Sequence, residues 1–505
     1  MAKILIVGGG VSGLSAGIYA QLHGHRAIIC EKHDIPGGNL TGWQREGYHI
    51  DNCIHWLTGT NPATKTYGRW EVLGALGRVE VYQGDTLYTC EHEGVRLSLH
   101  RDLARTEADM LSLSPGDEKE IRSLIRAVRL MQGLCGIRGA QHDRKNSLPQ
   151  KVTLCPALLK YYKLTTGQLS ERFSHPLLKA FMGSFMGKDF GALALLFVFA
   201  HFCGDNGGLP QGGSLAMAQR MAARFQALGG ELRLKKEVTR IHCEDGYATG
   251  VTFSDGTTEE ADYLVLTSDP AAIFPKLLEH PMPRQLLKAY RHPQMSRFSS
   301  FQCAFACDLP EAPFRGDFIL SPPRGMTPEL SMPQVVLREF SHEKSFSPPG
   351  KSLIQALIFC NEEEAKSFIR LREQDKSAYD DRKAAISEEI RRLITLRFPQ
   401  TEDKLTCIDS WTPATYRRYT NAQMGSYMSF ILPAKTLPVR MSPRVKGIKN
   451  LLLATQWQQA PGGLPIAAEG GRRAVMAINK LEAKAKWHHK ERREKQAPTP
   501  RLKQT

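Results

Sequence analysis

The sequence predicts an α/β fold, a discontinuous Rossmann-like domain carrying an inserted α+β domain, and three observations lead there. The chain opens on a strand, a glycine turn, a helix and a second strand, "ILIVGGGVSGLSAGIYAQLHGHRAIICEKHD" from Ile4. A second βα-like block begins at the Gly212-Gly213-Ser214 turn, and a third glycine-rich turn, "PGGLP" at Pro461 to Pro465, precedes another helix of small residues. Between these blocks the patterning changes, first to helical spacing and then to longer alternating strands. A chain of 505 residues is long enough for two interwoven domains and a large core.

In chain order, Lys3 to Val7 reads as a buried strand and Ser12 to His23 as a helix. Its small residues Ser12, Gly13, Ala16 and Gly17 allow close approach to the sheet, and Arg26 to Glu31 reads as the second strand. Arg101 to Leu134 has helical spacing, and the proline-broken "LPQKVTLCPALLKYY" follows it. Phe190 to Cys203, "FGALALLFVFAHFC", is the most apolar stretch, of a length for a buried helix or an interfacial segment rather than a span. Phe298 to Asp308 and Lys351 to Cys360 read as strands of another sheet, and Glu362 to Arg397 as charged helix. The expected division is a dinucleotide domain from 1–95, 205–285 and 440–480, a mainly helical insert at 96–204, a sheet with helices at 286–439, and a basic, disordered tail at 481–505.

The hydrophobic share of 42% is ordinary for a globular chain, and the eleven scattered cysteines are expected as free thiols. No stretch is apolar enough to cross a bilayer, and the opening residues lack the pattern of a signal peptide, which predicts a cytoplasmic location. The formal charge of +16 favours anionic surfaces, and about six of those charges fall from Lys480 onward, so peripheral membrane contact is a candidate. Nucleic-acid binding is set aside because the basic residues are spread and no nucleic-acid motif accompanies them.

Gly8, Gly10 and Gly13 form Gly-x-Gly-x-x-Gly at a strand-to-helix turn, where backbone N–H groups and the helix N-terminus, with Val11 and Ser12, cradle a pyrophosphate. Glu31, eighteen residues beyond Gly13 and followed by Lys32, places a carboxylate for ribose hydroxyls. A 2′-phosphate would be repelled there.

"KHDIPGGNLTGWQREGYHIDNCIHWL" after this acid, together with "GIKNLLLATQWQQAPGGLPIAAEGGRRAVMAI" near the other end, resembles the phytoene desaturase and carotenoid isomerase flavoproteins, including their retinol saturase-like branch, relatives of the amine oxidases. The resemblance covers most of 1–95, 205–275 and 405–480, and it implies an extended FAD. Gly37 and Gly38 would lie beside pyrophosphate and flavin, the backbone of Val238 beside adenine, and Gly462, Gly463 and Leu464 at the pyrimidine side of the flavin. Two positions depart from the family. Asn39 stands where many relatives have Arg, and Thr455-Gln456 where many have Gly-Asp or Gly-Glu, so a fixed cation and a carboxylate near the flavin are missing.

No metal-spaced set or Ser-His-Asp arrangement stands out, so the reaction is assigned to the flavin. The Ile54-His55-Trp56 run resembles the retinol saturase-like segment, which makes His55 the candidate proton donor and Asp51 its neighbour in the catalytic set. The alternative is a structural histidine with Asp51 capping a turn. "TPATYRRYTNAQMGSYMSF" from Thr412 resembles the family's segment on the substrate side of the flavin, which makes Tyr416, Tyr419 and Tyr427 candidates for an aromatic wall. The expected activity is desaturation, saturation or isomerisation of a hydrophobic isoprenoid or polyene. An amine oxidase-like reaction on a polar substrate is the alternative. The electron partner stays open between oxygen, quinone and nicotinamide.

Overall fold

The protein is described here from a computed structural model, which covers residues 1–137, 158–185, 187–323, 329–331 and 334–496. Five short strands form a parallel sheet in the order Glu231–Arg233, Arg26–Cys30, Lys3–Val7, Tyr263–Leu266 and Leu451–Leu453. Three distant stretches of chain therefore build one sheet, the discontinuous arrangement that the three glycine turns predict. The strands are almost wholly apolar because both faces are covered. Val11–Leu22, Gly213–Ala227 and the first turns of Leu464–Gln496 cover one face, and the antiparallel sheet Val238–Glu244, Tyr247–Phe253 and Thr258–Glu260 the other.

Two glycines carry the close approaches. A Cβ on Gly13 would lie 1.9 Å from the Gly8 carbonyl oxygen, and one on Gly471 would lie 2.4 Å from the Ser12 carbonyl oxygen. The first turn of the opening helix is thus pressed against both the glycine turn and the C-terminal helix, and no larger residue fits at either contact.

The second body is a seven-stranded mixed sheet, ordered Leu405–Trp411, Ser299–Cys307, Ser352–Cys360, Val335–Glu339, Asp317–Leu320, Thr86–His92 and Val95–His100. The two strands expected near 298–308 and 351–360 pair directly, Ser299 opposite Cys360 through Cys307 opposite Ser352. Glu362–Gln374 and Lys376–Arg397 pack on one face of this sheet. Leu103–Leu113, Glu118–Cys135, Pro176–Gly183 and Ala192–Phe202 form a helical core of their own against its Thr86–His100 end.

Two sequence expectations change, and one left open is decided. Thr86–His92 and Val95–His100 belong to the mixed sheet, so the first dinucleotide segment ends before residue 95; the hairpin's partner, Asp317–Leu320, is too distant in sequence to be seen from local pattern. Phe190 to Cys203, open between a buried helix and an interfacial segment, is a buried helix with one exposed position: Leu196 is completely buried, and Phe197 reaches the surface, at 41% exposure. The C-terminal helix runs on to Gln496 instead of stopping near 480, since Ala, Lys, Glu and Arg dominate there and no Pro or Gly interrupts before Pro498. Of the proline-broken stretch, residues 148–157 lie outside the described residues, as do 497–505 of the tail. The ten cysteines among the described residues are free.

Candidate active site

A single cavity of about 1100 Å³ runs along the carboxyl ends of the parallel strands and continues beneath the mixed sheet. Gly8, Gly10, Val11, Ser12, Glu31, Lys32, Gly37, Gly38, Asn39, His55, Val238, Gln456, Gly462, Gly463 and Leu464 all line it. Gly13 does not, because it packs the helix onto the turn, and Asp51 does not either.

Gly10 is the N-cap of the opening helix and makes no side-chain cap, so the first-turn N–H groups face the cavity. A Cβ on Gly10 would meet no protein atom closer than 3.7 Å, the Gly37 carbonyl oxygen, so the space beside it is open. Gly37 and Gly38 take φ of +126° and +61°, and this turn brings their backbone to within a β-bridge of Gly10. Glu31 Oε2 accepts from the Gly9 N–H at 2.7 Å and Oε1 from the His33 N–H at 3.0 Å, which fixes the carboxylate in the cavity wall. Val238 has its side chain buried in the core, which leaves its backbone for contact. The Lys32 ammonium donates to the Arg418 carbonyl at 2.7 Å and to Asn421 Oδ1 at 3.0 Å, pinning the 418–421 segment over this end. Burial lowers its pKa. An open glycine cradle, an uncapped helix terminus and a positioned carboxylate fit an adenine dinucleotide.

The two departures from the family pattern meet at one atom. Asn39 Nδ2 and Gln456 Nε2 each donate to the Tyr427 carbonyl oxygen at 3.3 Å, and Gln456 Oε1 accepts from the Gly463 N–H at 2.9 Å. Neutral amides thus tie the Gly37 turn, the Tyr427 segment and the glycine turn before the last helix into one rim. Tyr427 lines the cavity there, whereas Tyr419 lines it at the nucleotide end, its ring tilted against His33. Tyr416 lies behind the wall, its hydroxyl donating to Asn52 Oδ1 at 3.0 Å and accepting from Trp411 Nε1 at 3.1 Å. The expected wall of three tyrosines therefore reduces to Tyr427, because the helix Pro413–Thr420 turns its 416 position inward.

Asp51 is structural by its contacts. Oδ2 accepts from the Ser214 N–H at 2.6 Å, and Oδ1 accepts from Ser214 Oγ at 2.6 Å and from the Cys53 N–H at 3.2 Å. The carboxylate caps the start of Gly213–Ala227 and faces away from the cavity. The loop after it bends toward the Gly37 turn, since Asn52 Nδ2 donates to the Asn39 carbonyl at 3.1 Å. His55 follows on this loop and lines the cavity. Its Nδ1 lies 3.4 Å from Asp317 Oδ2, and Asp317 Oδ1 lies 3.4 Å from Arg338 Nε. Burial, then the Arg338 charge, hold the His55 pKa below its ordinary value, against Asp317, which raises it. These influences favour the neutral imidazole over the imidazolium.

Sequence reasoning missed Asp317 and Arg338. The signal present is Asp317 in the apolar run "GDFIL" and the Arg338-Glu339 pair ending "VVLRE"; pairing of Phe318 with Leu337 places Asp317 opposite Arg338. The apolar arm beyond His55 takes Phe190, Leu193 and Phe197 from the apolar 190–203 segment, as a lipid tunnel would need, and Phe298, Leu357 and Phe359, which sequence reasoning missed.

A dinucleotide cradle opening into a second, apolar chamber defines a flavin-dependent oxidoreductase. The chain belongs to the flavin containing amine oxidoreductase family, whose description matches residues 11–479. Among curated relatives, it is 23% identical over 450 residues to prolycopene isomerase 1 of an Oncidium hybrid cultivar, covering 84% of this chain and 74% of that protein. It is 22% identical over 516 residues to the lycopene-forming phytoene desaturase of Pseudescherichia vulneris, covering 95% and 100%. Among solved structures, an oxidoreductase from Methanosarcina mazei superposes with a TM-score of 0.59 at 17% identity, covering 95% of this chain and all of that one. That likeness shows the fold.

Proposed function

We propose that this chain is an FAD-dependent oxidoreductase acting on carbon–carbon double bonds of a long hydrophobic polyene or isoprenoid. The observation that carries the reading is the apolar arm, whose phenylalanines and leucines continue the nucleotide cavity without a break. The relatives named for lycopene and prolycopene support the substrate class. FAD, when bound, supplies the hydride acceptor. The Gly10 turn and Glu31 would hold its nucleotide half, and Asn39, Gln456 and Gly463 the rim beside its ring. A polar amine fits less well. Among the cavity carboxylates, Asp317 and Glu469 are each paired with an arginine, Glu31 and Asp269 accept from backbone N–H groups, and Glu237 stands next to Val238, at the end adenine would take.

Cys53 is the thiol on the flavin side of the cavity, and burial pushes its pKa up to about 12, so it stays protonated and unreactive. No Cys or His stands in a flavin-linkage motif either, so the flavin is expected to be held without a covalent bond. Acid or heat denaturation should release all the yellow colour into the supernatant as FAD; colour left on the precipitate overturns this. The functional test is anaerobic mixing of oxidised holoenzyme with acyclic polyenes and with alkylamines. Bleaching of the flavin bands by amines and not by any polyene would reject the proposed substrate class.

The exposed side chains Phe197, Leu437 and Val439, at 41%, 60% and 66% exposure, suit shallow contact with a bilayer from which an insoluble substrate could enter. Phe197 is also on the cavity wall. Phe197→Ser with Leu437→Ser should reduce co-sedimentation with anionic vesicles at low salt while leaving flavin content unchanged. Wild-type protein that stays in the supernatant with anionic and neutral vesicles alike rules out this contact. Leu196 is unsuitable for the test because it is a core residue.

A further inference from the structure

The apolar arm holds one small polar group with an unusual support. His55 has 24% of its side chain exposed, into the cavity, while Asp317 and Arg338 behind it are 9% and 5% exposed. Arg338 and Asp317 oppose each other across adjacent antiparallel strands, and Arg338 Nη2 also donates to the Ile54 carbonyl at 2.7 Å. That bond anchors the residue immediately before His55. Asp317 then bridges the two, one oxygen toward the guanidinium and the other toward His55 Nδ1. Two buried charges in a sheet floor are costly unless they pair. Here the pair ends on an imidazole at the cavity wall.

We infer that Asp317, held by Arg338, is a positioning residue that keeps the His55 proton on Nδ1 and leaves Nε2 as a proton acceptor facing the apolar arm, so that the site removes hydrogen from its substrate. A carboxylate acceptor fixes the tautomer because only a protonated Nδ1 can donate to it. Nε2 has no hydrogen-bond partner among the described residues. Asp51, the other nearby carboxylate, has its oxygens committed to Ser214 and Cys53. His201, which lines the same cavity, bonds through Nδ1 to Asn206 at 2.7 Å and is held neutral by burial, with its pKa lowered to about 4. It offers no competing cation.

The inference rests on the polyene reading for its chemistry and gives that reading a direction. At an allylic carbon, one C–H bond would break with its electron pair taken as hydride by an oxidised flavin, the two-electron acceptor that FAD held by the Gly10 turn and Glu31 would supply. The adjacent C–H bond breaks, its electrons form the new double bond, and its proton goes to His55 Nε2. Departure of the hydride leaves an allylic cation, whose neighbouring C–H is acidic enough for a neutral imidazole. Saturation would need the opposite state, an imidazolium at rest, and burial together with Arg338 opposes that state.

The test reads the tautomer without substrate. Holoenzyme labelled with ¹⁵N in its sixteen histidines is examined by long-range ¹H–¹⁵N correlation at neutral pH, with His55→Gln used to assign the signal. The expected result is a neutral ring protonated on Nδ1. In Asp317→Asn, Arg338 draws the new amide's carbonyl and turns its NH₂ toward His55, so the proton should move to Nε2. Anaerobic flavin reduction should then fall by about 100-fold or more, by analogy with wrong-tautomer variants of other enzymes. An imidazolium, or an Nε2-protonated ring, in wild-type holoenzyme overturns the inference even if Asp317→Asn does not fold. So does retention of the Nδ1 proton in a folded Asp317→Asn. Failure of every polyene to reduce the flavin while the tautomer behaves as stated would reject the substrate reading and leave the positioning role of Asp317 standing.

Discussion

Gly10→Val yields a folded protein that cannot retain flavin. The two halves of that result come from different sides of one residue. Toward the protein, a Cβ at Gly10 has 3.7 Å to its nearest neighbour and its backbone φ of −72° suits any residue, so the fold tolerates the change. Toward the cavity, the branched side chain stands where a pyrophosphate must reach the N–H groups of the first helical turn. Losing about two charge-assisted hydrogen bonds, at roughly 1.5 to 3 kcal/mol each, weakens binding by about 100-fold or more. Purified variant should be colourless with the parent's circular dichroism, and titration with FAD should fail to restore the flavin spectrum at parent concentrations. Binding as tight as the parent's would show that the phosphates lie elsewhere. Gly13→Ala makes the contrast, since its Cβ would collide with the Gly8 carbonyl oxygen at 1.9 Å and the damage would appear in folding first.

Gly10 also shows what a local sequence can carry. The cradle was legible because its parts lie within one stretch and depend on backbone: a strand, a turn that needs missing side chains, a helix start and an acid one strand later. The distant Pro461 turn was legible as a glycine turn before a helix, but its share in this site only through family resemblance; the structure brings it to the same cavity through strand Leu451–Leu453 beside Tyr263–Leu266. What stayed hidden depends on sheet pairing between remote segments. Asp317 and Arg338 are ordinary single charges until the register of their strands opposes them. Tyr416 and Tyr427 look alike in sequence, yet one hydroxyl is consumed by Asn52 and Trp411 while the other residue lines the cavity. Apolarity alone could not tell whether 190–203 meets lipid or protein. The answer comes from the helices and aromatic rings packed around Phe199 and Phe202.

Asp51→Ala should unfold more easily than any cavity-wall variant, and this separates the two roles that its place beside His55 suggests. Its carboxylate is 2% exposed and accepts from Ser214 N–H, Ser214 Oγ and Cys53 N–H. Ser214 Oγ in turn accepts from the Ile54 N–H at 3.0 Å, so the same hub holds the loop that presents His55. Alanine leaves two backbone donors and one hydroxyl without their acceptor, and each unsatisfied buried group costs about 1 to 3 kcal/mol. Some relaxation and entering water will offset part of that, so a loss of about 3 kcal/mol is expected. The measurement is urea unfolding of flavin-free protein, where neither turnover nor cofactor binding can contribute. A catalytic acid or base at this position would give the reverse outcome: unchanged unfolding of the apoprotein and loss of flavin reduction alone. His55→Gln provides the matched case, because it removes a cavity-facing ring without touching the Asp51 hub and should leave the urea midpoint close to the parent's while slowing the reductive step. If the two variants lose stability equally, the division of labour drawn between Asp51 as cap and His55 as the reacting group is wrong.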